Sequence, residues 1–235
     1  MTSHPIRNLI FRMAFCIAML ASAAMLRADD YQWVRRTYSW RCSGLMRTAT
    51  VPIFGEDIVI RVSSPTKAVV RVTLFDEQDK VASRRAPEVI CENTHLRSSS
   101  SSFSGLKKIS LLVESSRECL VEIDQYLDTV EEWRLKNWLQ KRSTLTPRKL
   151  AMWAGDTTQS FLFTPKMPCT RLSFTQRSEG SVELIATAKD GTVLFRRFMN
   201  ISGQHVNGWL HTSDEVSFSV QAAKGTAWLL ELTEE

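Results

Sequence analysis

The 235-residue sequence has no apolar run long enough to cross a bilayer as a helix. Its longest, Met13 to Leu26, is 14 residues, and a span needs roughly 18 or more. Signatures of catalysis are missing as well. There is no G-x-S-x-G elbow; Ser104 before Gly105 belongs to a serine-rich stretch. There is no H-E-x-x-H, and the cysteine spacings match no zinc-ligand set. Excess charge is missing too once the N-terminus is set aside. Residues 1–28 carry Arg7, Arg12 and Arg27 and no carboxylate, so the formal charge of +5 falls to +2 without them. A chain that near neutrality is not a polyanion binder on charge alone, which argues against nucleic acid as a partner.

What the N-terminus does have is the pattern of a secretory signal. Arg7 and Arg12 precede the apolar run, and small residues around Ser22 and Ala24, with Ala28 further on, offer cleavage sites. The expectation is an exported protein, secreted or periplasmic, with residues 1–28 removed and no stable membrane span afterwards. Export permits disulfides among Cys42, Cys91, Cys119 and Cys169. Sequence does not rank their pairings. A bridge inside the first part of the chain, Cys42 with Cys91 or Cys119, is favoured.

The strongest signal is an internal repeat. Val70 to Arg85 reads VRVTLFDEQDKVASRR, and Val182 to Arg197 reads VELIATAKDGTVLFRR, an ungapped offset of 112. The same offset sets Ile60 and Val62 on Leu172 and Phe174. Earlier it reads as 110, with Val51 and Ile53 on Phe161 and Phe163. Later it is 107 for Ile109, Leu111 and Val113 on Val216, Phe218 and Val220, and 109 for Val121 to Ile123 on Leu230 to Leu232. Constant periodicity with small slips in the loops is what two copies of one β-domain leave. Alternation such as Ile58/Ile60/Val62 and Val182/Leu184/Ala186 marks strands with one buried face. The turn Asp76 to Lys80 falls opposite Lys189-Asp190-Gly191, a strong hairpin signal.

These patterns predict an all-β chain of two tandem antiparallel β-sandwich domains, residues 38–126 and 148–235, joined by a short α-helix within 127–147. Residues 29–37 read as a lead, and the serine tract in 97–105 as a surface loop. Thr129 to Glu132 fits a capping box, and Glu132 and Lys136 form an i,i+4 pair. The helix carries Trp133 and Trp138, which pack the domain interface or meet a partner.

Trp40 with Gly44 and Thr48 in the first copy, and Trp153-Ala-Gly155, Thr157 to Phe161, Leu172/Phe174 and Trp228/Leu230/Leu232 in the second, give the chain a general look. It resembles the jelly-roll and immunoglobulin-like modules of secreted bacterial proteins. The resemblance spans most of both domains and implies an architecture; it carries no site residues across.

Site candidates come from the residues themselves. His205, Asn207, Trp209 and His211 crowd one segment read as a loop, GQHVNGWLHTSDE. Trp209 offers a flat face for a sugar ring. His205 and His211, with Asp214, could instead ligate a metal for a small hydrolase. Asp76, Glu77 and Asp79 read as a solvated turn, with weak calcium binding as the alternative. Arg84-Arg85 and Arg196-Arg197 recur at the same repeat position. They are a repeated anion contact, or pairs with one arginine in solvent and one covering apolar surface. The expectation is a non-catalytic module without metal or cofactor that binds carbohydrate or a protein partner at the cell envelope. The alternative is a structural subunit that docks through Trp133 and Trp138.

Overall fold

The structure is a computed structural model that describes residues 33–55, 57–84, 88–90, 96–99, 106–143 and 146–234. The signal-like segment, Cys91, His95, Arg85 and residues 100–105 of the serine tract lie outside the described residues.

The first half contains β1 (Val34–Arg47), β2 (Val51–Pro52), β3 (Asp57–Ser63), β4 (Ala68–Phe75), β5 (Val81–Arg84), β6 (Glu88–Ile90), β7 (Leu96–Ser99) and β8 (Lys108–Leu127). Helix α1 (Thr129–Ser143) follows. The second half contains β9 (Lys149–Gly155), β10 (Gln159–Phe163), β11 (Thr170–Gln176), β12 (Val182–Ala188), β13 (Val193–Met199), β14 (His205–Leu210), β15 (Val216–Ala222) and β16 (Trp228–Glu234). Among the described residues the fold is all-β apart from α1, with two antiparallel sheets.

In the second half the strand orders are β10-β15-β12-β13 and β14-β11-β16-β9. Eight strands wound this way form a jelly roll. Alternate residues point between the sheets. Leu172, Phe174, Leu184, Phe218 and Leu230 are fully buried there. Aromatic rings fill one end, with Trp153 stacked on Phe161 at 4.3 Å and Phe161 on Phe218 at 5.4 Å.

The first half uses the same winding with fewer breaks. β8 is 20 residues long and serves both layers. Its end, Leu120–Tyr126, pairs β3, while Ser110–Ser115 pairs β4. β1 follows it along the other side, with a register slip between Cys42 and Gly44.

Ladder registers equate the halves residue by residue. Ile60 lies opposite Ile123, and Leu172 opposite Leu232. Val72 lies opposite Val113, and Leu184 opposite Val220. Trp40 faces Val121 as Trp153 faces Leu230. These pairs reproduce the sequence offsets 112, 107 and 109. The turns match as well. Asp76 N–H donates to Lys80 O and Ala188 N–H to Thr192 O. Asp79 (φ 65°) and Gly191 (φ 86°) share the left-handed position. One offset is corrected. Val51 pairs Ile109, and Phe163 pairs Val216, so Val51 falls on Phe163 and not on Phe161. The apparent slip arises because residues 48–50 interrupt the strand. There Thr48 exchanges hydrogen bonds with Leu111 through both its backbone and its hydroxyl.

Other local expectations change. Residues 34–37, read as part of a lead, begin β1. Arg35 and Thr37 look polar because they reach across the sheet surface to the buried Asp124, at 3.0 Å and 2.6 Å. The capping box is one residue earlier than expected. Asp128 Oδ1 accepts from Glu131 N–H, and Glu131 Oε2 accepts from Asp128 N–H. α1 is anchored by buried Leu135 and by Glu132, which meets Arg36 and Lys136. Trp133 is 64% exposed, so it does not pack an interface within the chain.

The halves touch through a narrow seam. β1 pairs β13 at Leu45 opposite Arg196. Gly44, with φ 74°, makes that approach feasible: a Cβ there would stand 2.2 Å from the Arg196 carbonyl oxygen.

Candidate functional site

The HVNGWL segment is a strand, β14, not a loop. It is an edge strand paired on one side only, to β11. Its glycine and asparagine disguise the alternation. Val206, Gly208 and Leu210 lie opposite Phe174, Leu172 and Thr170, on the inward face. His205, Asn207 and Trp209 therefore share the outward face.

The Trp209 end of that outward face is covered by the first half, while His205 is exposed. Trp209 is 9% exposed although it points away from its own sandwich. Between β14 and β1 lies a cavity of about 490 Å³. Trp40, Cys42 and Met46 of β1, Glu118 of β8, Arg197 of β13, and His205, Asn207 and Trp209 of β14 line it. Its volume is in the range of small-ligand pockets, roughly 300–1,000 Å³.

The cavity's polar groups are under-used by the protein. Asn207 Oδ1, Trp209 Nε1 and Arg197 Nε are buried and have no hydrogen-bond partner within the described residues. A buried donor or acceptor left unmade costs about 1–3 kcal/mol. Two donors and one acceptor are thus left unpaired on residues of one cavity wall. Arg197 stands between buried Phe195 and Met199 along β13. Burial pulls its pKa below the usual arginine value, with Glu118 opposing. Its neighbour Arg196 is exposed and ion-paired to Glu183 at 2.8 Å. Of this pair, one arginine meets solvent and the other turns into the cavity.

Of the four ligand candidates, His205, Asn207 and Trp209 come together. His205 Nδ1 lies 2.9 Å from Thr175 Oγ1. His211 does not join them. It follows β14 and sits 2.9 Å from the Thr48 carbonyl oxygen, lining another cavity with Arg47, Asp79 and Trp138. Six residue steps along nearly extended chain separate the two histidines by about 20 Å, too far for one metal ion. The alternative of a metal held by His205, His211 and Asp214 loses its geometry. Burial, aided by the Arg47 charge, lowers His211 to about 4. No group of three metal-binding side chains occurs among the described residues. The acidic turn is internally used: Asp76 Oδ1 accepts from the Gln78 and Lys80 amides, and Asp79 meets Arg47.

Arg197 and Cys42 line the site, although the sequence marked the first only as half of a repeated arginine pair and the second only as a disulfide candidate. The repeated Arg-Arg pair was the signal for Arg197; nothing local marks Cys42, because the site forms only where two distant segments meet.

No family model matches the chain. No curated protein matches it. Among solved structures, a conserved protein of unknown function, PA5104 from Pseudomonas aeruginosa PAO1, is 11% identical with a TM-score of 0.26, covering 85% of this chain and 79% of that one. The PBSX exported protein XepA is 6% identical with a TM-score of 0.29, covering 85% and 86%. A variant of oxalate decarboxylase from Bacillus subtilis is 10% identical with a TM-score of 0.24, covering 89% and 70%. At these scores none of the three carries an argument about activity.

Proposed function

We propose that this chain is an exported, non-catalytic binding module whose ligand is a carbohydrate, held in the cavity between β1, β13 and β14. The observation that carries the reading is that Arg197, Trp209 and Asn207, which line one cavity, each hold a buried polar atom with no hydrogen-bond partner among the described residues. Sugar hydroxyls both donate and accept, which is what two donors and one acceptor ask for. A uronate suits Arg197 best, since a carboxylate would complement a guanidinium that has no ion pair among the described residues. The indole then acts through its N–H and its edge rather than through an open stacking face.

Tryptophan fluorescence during titration with neutral and uronic-acid oligosaccharides tests this. The expected result is a saturable change, strongest for the acidic sugars. Trp209→Phe keeps an aromatic ring but removes the pyrrole with its N–H, so it weakens binding about tenfold. Asn207→Leu does the same. A flat response across the panel refutes the reading.

A second reading rests on a separate observation. Trp133, Val130 and Leu139 are exposed on α1, at 64%, 55% and 44%. A structural subunit would use them to join a larger assembly. In that case a partner co-purifies with the chain and is lost with Trp133→Ala, while sugars have no effect.

A further inference from the structure

Cys42 and Cys119 face each other directly across the β1–β8 ladder. Both are 1% exposed. Opposed residues in an antiparallel pair have Cα atoms about 4.5–5.5 Å apart, within the range of about 4.4–6.8 Å that a disulfide spans. The two thiols also act on each other. The hydrogen bond between them is the largest influence on both, pushing Cys42 up and drawing Cys119 down.

The second half shows what else can fill this corner. The same ladder position there is Gly155 opposite Trp228. The indole occupies the space so fully that a Cβ on Gly155 would lie 2.9 Å from Trp228 Cζ2. The first half has two small side chains where its twin has a ring. The position is also mechanically sensitive. Immediately after Cys42 the β1–β8 register slips, and β8 passes from one layer to the other.

From the pairing geometry and this contrast between the halves, we infer that Cys42 and Cys119 close a disulfide that locks the bend of β1 and β8. The inference does not depend on the carbohydrate reading, although Cys42 lines the same cavity. Closing the bond removes two protons and two electrons from the thiols. The disulfide of a thiol–disulfide oxidoreductase, or oxidised glutathione, takes them up and leaves as two thiols. Attack by one cysteine gives a mixed disulfide, and attack by the second resolves it. Both sulfurs are buried in the finished fold, so the bond forms during folding and is sheltered afterwards.

The test is to denature and reduce the full chain, then refold it in reduced plus oxidised glutathione. Remaining thiols are alkylated and the protein is digested for mass spectrometry. The expected result links the Cys42 and Cys119 peptides and leaves Cys91 and Cys169 alkylated. Protein refolded without oxidant should melt about 10 °C lower or more, because the bridge closes a long loop. Cys91→Ala should keep both the link and the higher Tm. Alkylation of both Cys42 and Cys119, or a link between Cys42 and Cys91, would overturn the inference.

Discussion

The two halves share one set of ladder registers and are held together by different chemistry. The second half is an aromatic sandwich: Trp153, Phe161, Phe218, Phe174 and Trp228 form a chain of ring contacts. The first half has an aliphatic core, with Ile58, Leu111, Val113 and Ile123 fully buried. It adds a buried carboxylate, Asp124, bound by Arg35, Arg61 and Thr37. At the ladder position equivalent to Asp124 the second half has Thr233, opposite Arg171. Winding is therefore set by which residues alternate and where turns fall, while packing chemistry is free to diverge once that pattern is kept.

The sharpest way to break the comparison is at the seam. Gly44→Ala places a Cβ against the Arg196 carbonyl at a left-handed backbone position. It should cost about 3 kcal/mol or more. Urea unfolding followed separately by aromatic CD and by amide exchange in β8 should then give non-coincident transitions; coincident, unshifted curves would show that the seam does not couple the halves.

Substituting equivalent positions sharpens the comparison. Trp228→Ala should cost about 4 kcal/mol, in the range for buried large aromatics. In reduced protein, Cys119→Ala should cost about 1 kcal/mol, because little volume is lost. Equal losses in thermal melts would mean that the two corners do the same job by the same means.

Asp124→Ala removes a buried carboxylate from the half-exposed Arg35 and Arg61 and should cost about 2 kcal/mol, whereas Thr233→Ala should stay within about 1 kcal/mol. Urea midpoints of the two variants give the comparison.

The seam also carries a pH dependence. His211 is held neutral, with its pKa lowered to about 4. The unfolded chain binds a proton near pH 6.5 and the folded one does not. Stability from this group is thus complete above pH 6.5, falls as the pH drops towards 4, and is flat below. The window corresponds to about 3 kcal/mol. His211→Gln should flatten this part of a Tm-against-pH curve, and an unchanged slope would assign it to other groups.

Much of the architecture was legible because a half-buried strand leaves a period of two. The strands β4, β8, β12 and β16 were legible for that reason. β14 was not legible: Gly208 breaks the apolar row of the inward face, and Trp209, on the outward face with the exposed His205, is covered by the other half. A glycine inside and a buried indole outside hide the period of two. The polar opening of β1 misled in the opposite sense, since Arg35 serves a buried carboxylate on the next strand. The candidate site was half legible. Three of its residues lie close together in sequence, but Arg197 and the β1 wall are brought in by a seam that no local pattern announces.

The proposed carbohydrate site is formed only where the halves meet. An NMR titration of the ¹⁵N-labelled full chain with a uronic-acid oligosaccharide tests it most directly. The account predicts that the Trp209 indole N–H shifts together with amides of β1 around Cys42 and of β13 around Arg197, and that Arg197→Met abolishes the shifts. Perturbations confined to one half, or gathered on α1, would contradict it.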